Sequence, residues 1–187
     1  MNAPEKIPSV RVRLRAATDG IHQALHLAAP FAAIADGTVT RGGYGDTLLF
    51  LHRYHSAMMP LCHIGADALG LPQLAEAQAA RIQALEYDLA HMELVPEVAP
   101  AVETGGAGFC IGALYTVLGS TLGGKLIFRQ IDALLPDIEG RTFFRGAPDD
   151  ARNWQALCAA LETQGEAFEE VEAGALFAFT EFRRLLG

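Results

Sequence analysis

His22 and His26 stand four residues apart, with Thr18 one turn and Arg15 two turns ahead of His22, so that in a helix they share one face. Two histidines at this spacing chelate zinc where a third ligand joins them, but the glutamate that marks a helical metalloprotease is Gln23 here. A single neutral imidazole also serves as the axial ligand of a haem iron, leaving the opposite axial position free for a gas molecule. The competing assignment is a half-buried histidine held by a hydrogen bond.

A second set of residues is notable for lacking side chains. Gly119-Ser120-Thr121-Leu122-Gly123-Gly124 interrupts an apolar segment, about 108 to 135, that otherwise reads as helix. Glycine inside a helix costs roughly 1 kcal/mol relative to alanine, so three within six residues need a reason. Bare backbone lets a flat ligand or a second helix approach closely and lets the helix bend. Close helix packing alone would account for the pattern. A ligand between the His22 face and this segment would meet a nitrogen donor on one side and bare backbone on the other, the arrangement that holds a planar macrocycle.

The elements that must position these residues are helices, because apolar residues recur at intervals of three and four and strand signals are nearly absent. Ser9 caps a first helix with Leu14, Thr18, Ile21 and Leu25 on one face, ending near Pro30. A second runs from about 43 to 69 with Pro60 as a kink. A third, about 73 to 91, has a wet face marked by Arg81, Glu86 and Asp88. A turn-rich stretch from 96 to 106 leads to the glycine-broken helix, and Asp149 or Asp150 caps a final long helix reaching Leu186. His52, His55, His63 and His91 read as helix-face residues. With no repeat, low-complexity tract or linker, residues 1–187 read as one all-α domain, a bundle of about five to seven helices. A domain of this length buries about 70% of its unfolded surface and can enclose a small-molecule cavity.

Charge and cysteine usage narrow the partners. A balance of 22 acidic against 14 basic residues, net −8, argues against broad attraction to nucleic acid or anionic lipid, so an anionic ligand needs a few placed arginines. Cys62, Cys110 and Cys158 are odd in number and set in apolar surroundings, as reduced core thiols are. No stretch reaches about 20 uninterrupted apolar residues and no signal-peptide pattern opens the chain. A soluble, cytoplasmic protein without a membrane or nucleic-acid partner is expected.

The segment from Leu14 to His22, Leu-Arg-Ala-Ala-Thr-Asp-Gly-Ile-His, resembles the first-helix motif of the haem (heme) oxygenase family, and more closely its bacterial biliverdin-producing type associated with bacteriophytochromes. Gly112-Ala113-Leu114-Tyr115 followed by the segment from Gly119 to Gly124 is similar to that family's distal helix. Phe143-Phe144-Arg145-Gly146 ahead of Trp154 resembles the segment whose arginine meets a haem propionate. The resemblance implies the haem oxygenase bundle, with haem between a proximal first helix and a glycine-kinked distal helix. It implies haem as both substrate and cofactor, its iron held by His22. Arg15, Thr18, His22, Tyr115, Gly119, Gly123, Gly124, Arg141 and Arg145 would contact haem, and Gly119, Ser120 and Gly123 would form the dioxygen site.

The same resemblance implies cleavage of haem to biliverdin, carbon monoxide and ferrous iron. The electrons would come from a separate ferredoxin- or flavin-type reductase, and a bacteriophytochrome would receive the biliverdin. Ser120 stands where animal members carry an aspartate that organises distal water; its hydroxyl can also hold water, without the charge. The chain departs from the pattern at Leu118, where bacterial members have glutamate, and at Asp19, where animal members place a lysine. Ala175 and Ala178 replace bulkier or polar residues on the last helix and so bear on how the ring is rotated. Two other classes stay open: a carrier or sensor that binds haem through His22 and leaves it intact, and a helical scaffold for another small ring, such as a thiamine-type pyrimidine. The last needs a nucleophile, and Cys110, without a neighbouring base, is a poor one.

Overall fold

Ser9 starts the first helix by accepting the Val12 N–H on its hydroxyl, and from there the described residues are mostly helical, with a long non-helical stretch between His91 and Ala107. The computed structural model describes residues 8–100, 102–136 and 139–187, with the His26 side chain outside what is described. Nine helices follow one another among those residues: α1 (Val10–His26), α2 (Ala29–Ala35), α3 (Arg41–Ala68), α4 (Gln73–His91), α5 (Ala107–Gly119), α6 (Thr121–Leu134), α7 (Thr142–Arg145), α8 (Asp150–Leu161) and α9 (Phe168–Leu186).

The all-α expectation holds, and the helix count exceeds the five to seven expected for three local reasons. Pro30 does not end a helix; it sits in the first turn of α2, where its missing N–H costs nothing. The last helix is two, because the Thr163 hydroxyl takes the Ala160 carbonyl at 2.7 Å and Gly165 follows in the connection. Helix α7 is a single turn built on a side chain from elsewhere: Asp88 on α4 accepts the Thr142 and Phe143 N–H groups, each at 2.8 Å.

Helix α5 is the axis of the bundle, packed between α3 and α9. Its approach to α9 is so close that a Cβ on Gly112 would lie 1.8 Å from the Val171 carbonyl oxygen, and one on Gly174 would lie 1.8 Å from that of Phe109. Only glycine permits that crossing. Ala175 and Ala178 are fully buried, and the Ala175 carbonyl accepts the Thr116 hydroxyl at 3.2 Å, so both alanines face the bundle interior at or near this contact. By length and composition alone the stretch Ala107–Leu134 could cross a membrane; here its first half is core between two helices.

Helix α1 runs along α9 in the same direction, with the Arg13 guanidinium 3.4 Å from the Phe168 ring centre and the His22 ring 6.0 Å from that of Phe179. The Glu162 carboxylate accepts the Val10 and Arg11 N–H groups at 2.9 and 3.3 Å. That contact ties the start of α1 to the end of α8.

The wet face expected on α4 is corrected at two of its three residues. Glu86 is exposed, but Arg81 and Asp88 are buried, at 8% and 0% exposure. They share a register with Leu74 and Leu85, which are fully buried. His52 and His55 on α3 are likewise buried.

Candidate functional site

The glycine-rich segment breaks the apolar helix at Ser120. The Ser120 hydroxyl donates to the Val117 carbonyl at 2.7 Å and the Thr121 hydroxyl to that of Leu118 at 2.8 Å. Both carbonyls are ones the helical ladder would use, so these side chains compete with the backbone at the point where α5 gives way to α6. The three glycines around the break then differ in their surroundings. A Cβ on Gly119 would lie 3.4 Å from the Trp154 ring, and one on Gly124 would lie 3.2 Å from the Phe144 carbonyl oxygen. A Cβ on Gly123 would meet nothing within 4 Å.

Gly123 thus has no packing reason to be glycine, and it belongs to a helix with little cover. Of α6 only Ile131 is buried, while Leu122 and Leu126 are 59% and 63% exposed. An uncovered apolar face on an acidic surface marks a place where something apolar binds. A side-chain-free step in its middle suits a flat group.

On the other side, His22 is exposed on α1, edge-on to Phe179. One turn earlier on α9, the Ala175 carbonyl holds Thr116, just ahead of the break. Side chains four apart on a helix are neighbours, so His22 and the carboxyl end of α5 lie against successive turns of α9. Burial first, and Cys158 next, push the Tyr115 hydroxyl above its ordinary pKa, with the nearby charges of Arg11 and Arg15 opposing them. Tyr115 in turn lies 5.3 Å from Trp154, centre to centre, and Trp154 borders Gly119. The structure therefore links Arg15, Tyr115 and Gly119 through Trp154, and His22 to the same helix pair through α9.

The remaining expected residues are placed less directly. Thr18 is buried and donates to the Leu14 carbonyl at 2.8 Å, which turns its hydroxyl into its own helix. Arg141 pairs with Asp132 and lies 5.6 Å from the Phe128 ring centre, so it is engaged within the protein. Arg145 is exposed at the end of α7. The segment bearing both arginines is held by Asp88, by the ring of Tyr44 against Phe144 and by the Tyr44 hydroxyl donating to the Gly140 carbonyl at 2.9 Å.

Arg81 was not among the residues expected at the site. It reaches the Ser120 hydroxyl at 3.4 Å from α4, with its guanidinium 4.3 Å from the Phe143 ring centre. Burial pulls its pKa down to about 10, partly offset by Asp150, so the group is a cation at neutral pH. The signal that could have found it is its register with Leu74 and Leu85. Behind it, Gln78 donates to His55 Nδ1 at 3.0 Å, and burial, with Arg81 next in effect, holds that imidazole well below its ordinary pKa.

No protein-family model matches the chain, and no curated protein matches it in sequence. Solved structures match it in shape. The heme oxygenase of Leptospira interrogans superimposes with a TM-score of 0.72 at 16% identity, over 96% of this chain and 98% of that one. Heme oxygenase-1 of the cyanobacterium Synechocystis sp., solved in complex with heme, gives 0.74 at 17% identity over 96% and 91%. At these identities the likeness speaks for architecture, and by that measure this all-α chain has the haem oxygenase fold.

Proposed function

We propose that the chain is a haem oxygenase, cleaving haem to biliverdin, carbon monoxide and ferrous iron with dioxygen and electrons from a separate ferredoxin- or flavin-type reductase. A bacteriophytochrome is the proposed recipient of the biliverdin, and the cytoplasm the proposed location. The observation that carries this reading is Gly123: a helical glycine facing open space on an uncovered apolar face, in a fold otherwise known from solved haem oxygenases.

The donor set fits haem. His22 offers an accessible imidazole for iron, the α6 face offers apolar contact through Leu122 and Leu126, and Arg15 offers a cation for a propionate. Arg145 is a second such cation, whereas Arg141 serves only if its pair with Asp132 opens. Bound haem supplies the redox-active iron and the ring that is opened.

Everything else falls to positioning by the chain. A neutral imidazole at His22 anchors the ring from α1 without the electron push of a thiolate. The α6 backbone at Gly123, with no side chain in the way, would let a flat ring approach closely. Gly119 keeps the break compact by admitting the Trp154 ring. The Ser120 hydroxyl, which donates to the Val117 carbonyl, would keep its oxygen as an acceptor for a water at the mouth of the break. Tyr115 and Trp154 exclude solvent between Arg15 and Gly119.

The variant His22→Ala tests the reading. It is expected to abolish haem-supported pigment formation while changing stability by no more than about 1 kcal/mol, because exposed positions tolerate truncation. Turnover equal to that of the parent would contradict the iron-ligand assignment.

A further inference from the structure

Arg81 is a buried cation that closes no ion pair among the described residues. One guanidinium nitrogen reaches Ser120 Oγ at 3.4 Å, its Nε has no partner, and the residue is 8% exposed. Asp150 acts on it only through its charge; the Asp150 carboxylate accepts the Ala147 N–H at 2.8 Å. The other close contact of Arg81 is the Phe143 ring, 4.3 Å from the guanidinium carbon to the ring centre. Gln78, one turn earlier on the same face of α4, leaves its Oε1 without a partner as well. Arg81 Nε and Gln78 Oε1 are thus a buried donor and a buried acceptor on one face of α4, neither with a hydrogen-bond partner among the described residues.

The geometry points to Arg81 as the positioning residue of the distal side: it fixes the Ser120 hydroxyl as a hydrogen-bond acceptor and lends the dioxygen site a positive charge. The Ser120 proton is directed at the Val117 carbonyl at 2.7 Å, and Arg81 occupies one oxygen lone pair. The remaining lone pair can only accept. A water bound there must donate one O–H to Ser120, which aims the other at whatever lies over α6. With a neutral hydroxyl in front and a cation behind it, the site favours a small anion. This inference rests on the haem oxygenase reading above.

Fluoride is the probe, titrated into the ferric haem complexes of the parent, Arg81→Met, Arg81→Lys and Ser120→Ala at one pH and read by visible absorbance. Arg81→Met is expected to weaken fluoride about tenfold, the effect of losing one charge-assisted contact, with haem affinity unchanged; Arg81→Lys restores most of the loss. Ser120→Ala weakens fluoride too, and adding Arg81→Met to it costs less than Arg81→Met alone. Fluoride binding in Arg81→Met equal to the parent overturns the assignment. Should Arg81→Met fail to fold, unchanged fluoride binding in Ser120→Ala overturns it instead. A parent that binds no haem overturns both this inference and the function it rests on. A parent that degrades haem, beside an Arg81→Met protein that binds fluoride equally well, overturns only the role of Arg81.

Discussion

One methyl group has opposite effects at two glycines of the same apolar stretch. At Gly112 it would sit 1.8 Å from a backbone carbonyl of α9, a position from which neither partner can retreat, so Gly112→Ala is expected to cost about 3 kcal/mol or more. At Gly123 it meets nothing within 4 Å, so Gly123→Ala is expected to gain about 1 kcal/mol from helix propensity. Urea midpoints of the two variants check this, and a destabilised Gly123→Ala would mean that position is packed. Gly123→Val is expected to keep the fold and ferric haem binding while blocking turnover; unchanged turnover would remove Gly123 from the site.

His55 carries the pH dependence at this scale. Its imidazole is held well below the ordinary value of 6.5, by burial first and by Arg81 second. As pH falls through about 6.5 the unfolded chain binds a proton that the folded one refuses. The stability tied to this residue is therefore complete above that pH and declines as the pH falls below it. Unfolding in urea at pH 7.5 and 5.5 measures the loss, and His55→Gln should lose less between the two. Equal losses in parent and variant would show that His55 protonates while folded.

Helices depend on which groups end them. Helix α7 exists because Asp88 accepts two of its N–H groups, and it carries Phe144 against Gly124. Asp88→Ala is expected to cost about 2 kcal/mol, the order of one or two hydrogen bonds to a charged acceptor, and to speed amide exchange at Thr142 and Phe143. Unaltered exchange there would mean that α7 is held by its phenylalanines alone. The sequence disclosed some of these elements and hid others for physical reasons. Helix α4 is bounded as expected because Pro72 starts it and its apolar spacing runs to His91. Helix α7 is too short to show any period, and Pro30 carries the same signature whether it opens or closes a helix. Arg81 and Asp88 looked wet by residue type. Their register with Leu74 and Leu85 was the better guide.

Across the whole molecule, α9 joins the two halves of the candidate site. It receives His22 on Phe179 and Thr116 on Ala175, residues one turn apart, and the crossing with α5 at Gly112 and Gly174 sets how near α1 can come to the break. The candidate residues His22 and the segment from Gly119 to Gly124 were singled out by type and spacing, beside the competing readings of a hydrogen-bonded histidine and close helix packing. Their relation through α9, and the cation that α4 places behind Ser120, follow only from packing between segments distant in sequence. A cavity of about 380 Å³ between α2 and the start of α3 is lined by none of the residues proposed for haem.

The most direct measurement is an anaerobic titration of the protein with haem, followed by ascorbate and air, read by visible absorbance. A porphyrin held between His22 and the uncovered face of α6 predicts a saturable one-to-one Soret band that decays to the absorbance of a green bilin once oxygen is admitted. A haem spectrum unchanged by the protein, or a complex that persists unaltered in air and reductant, would contradict it.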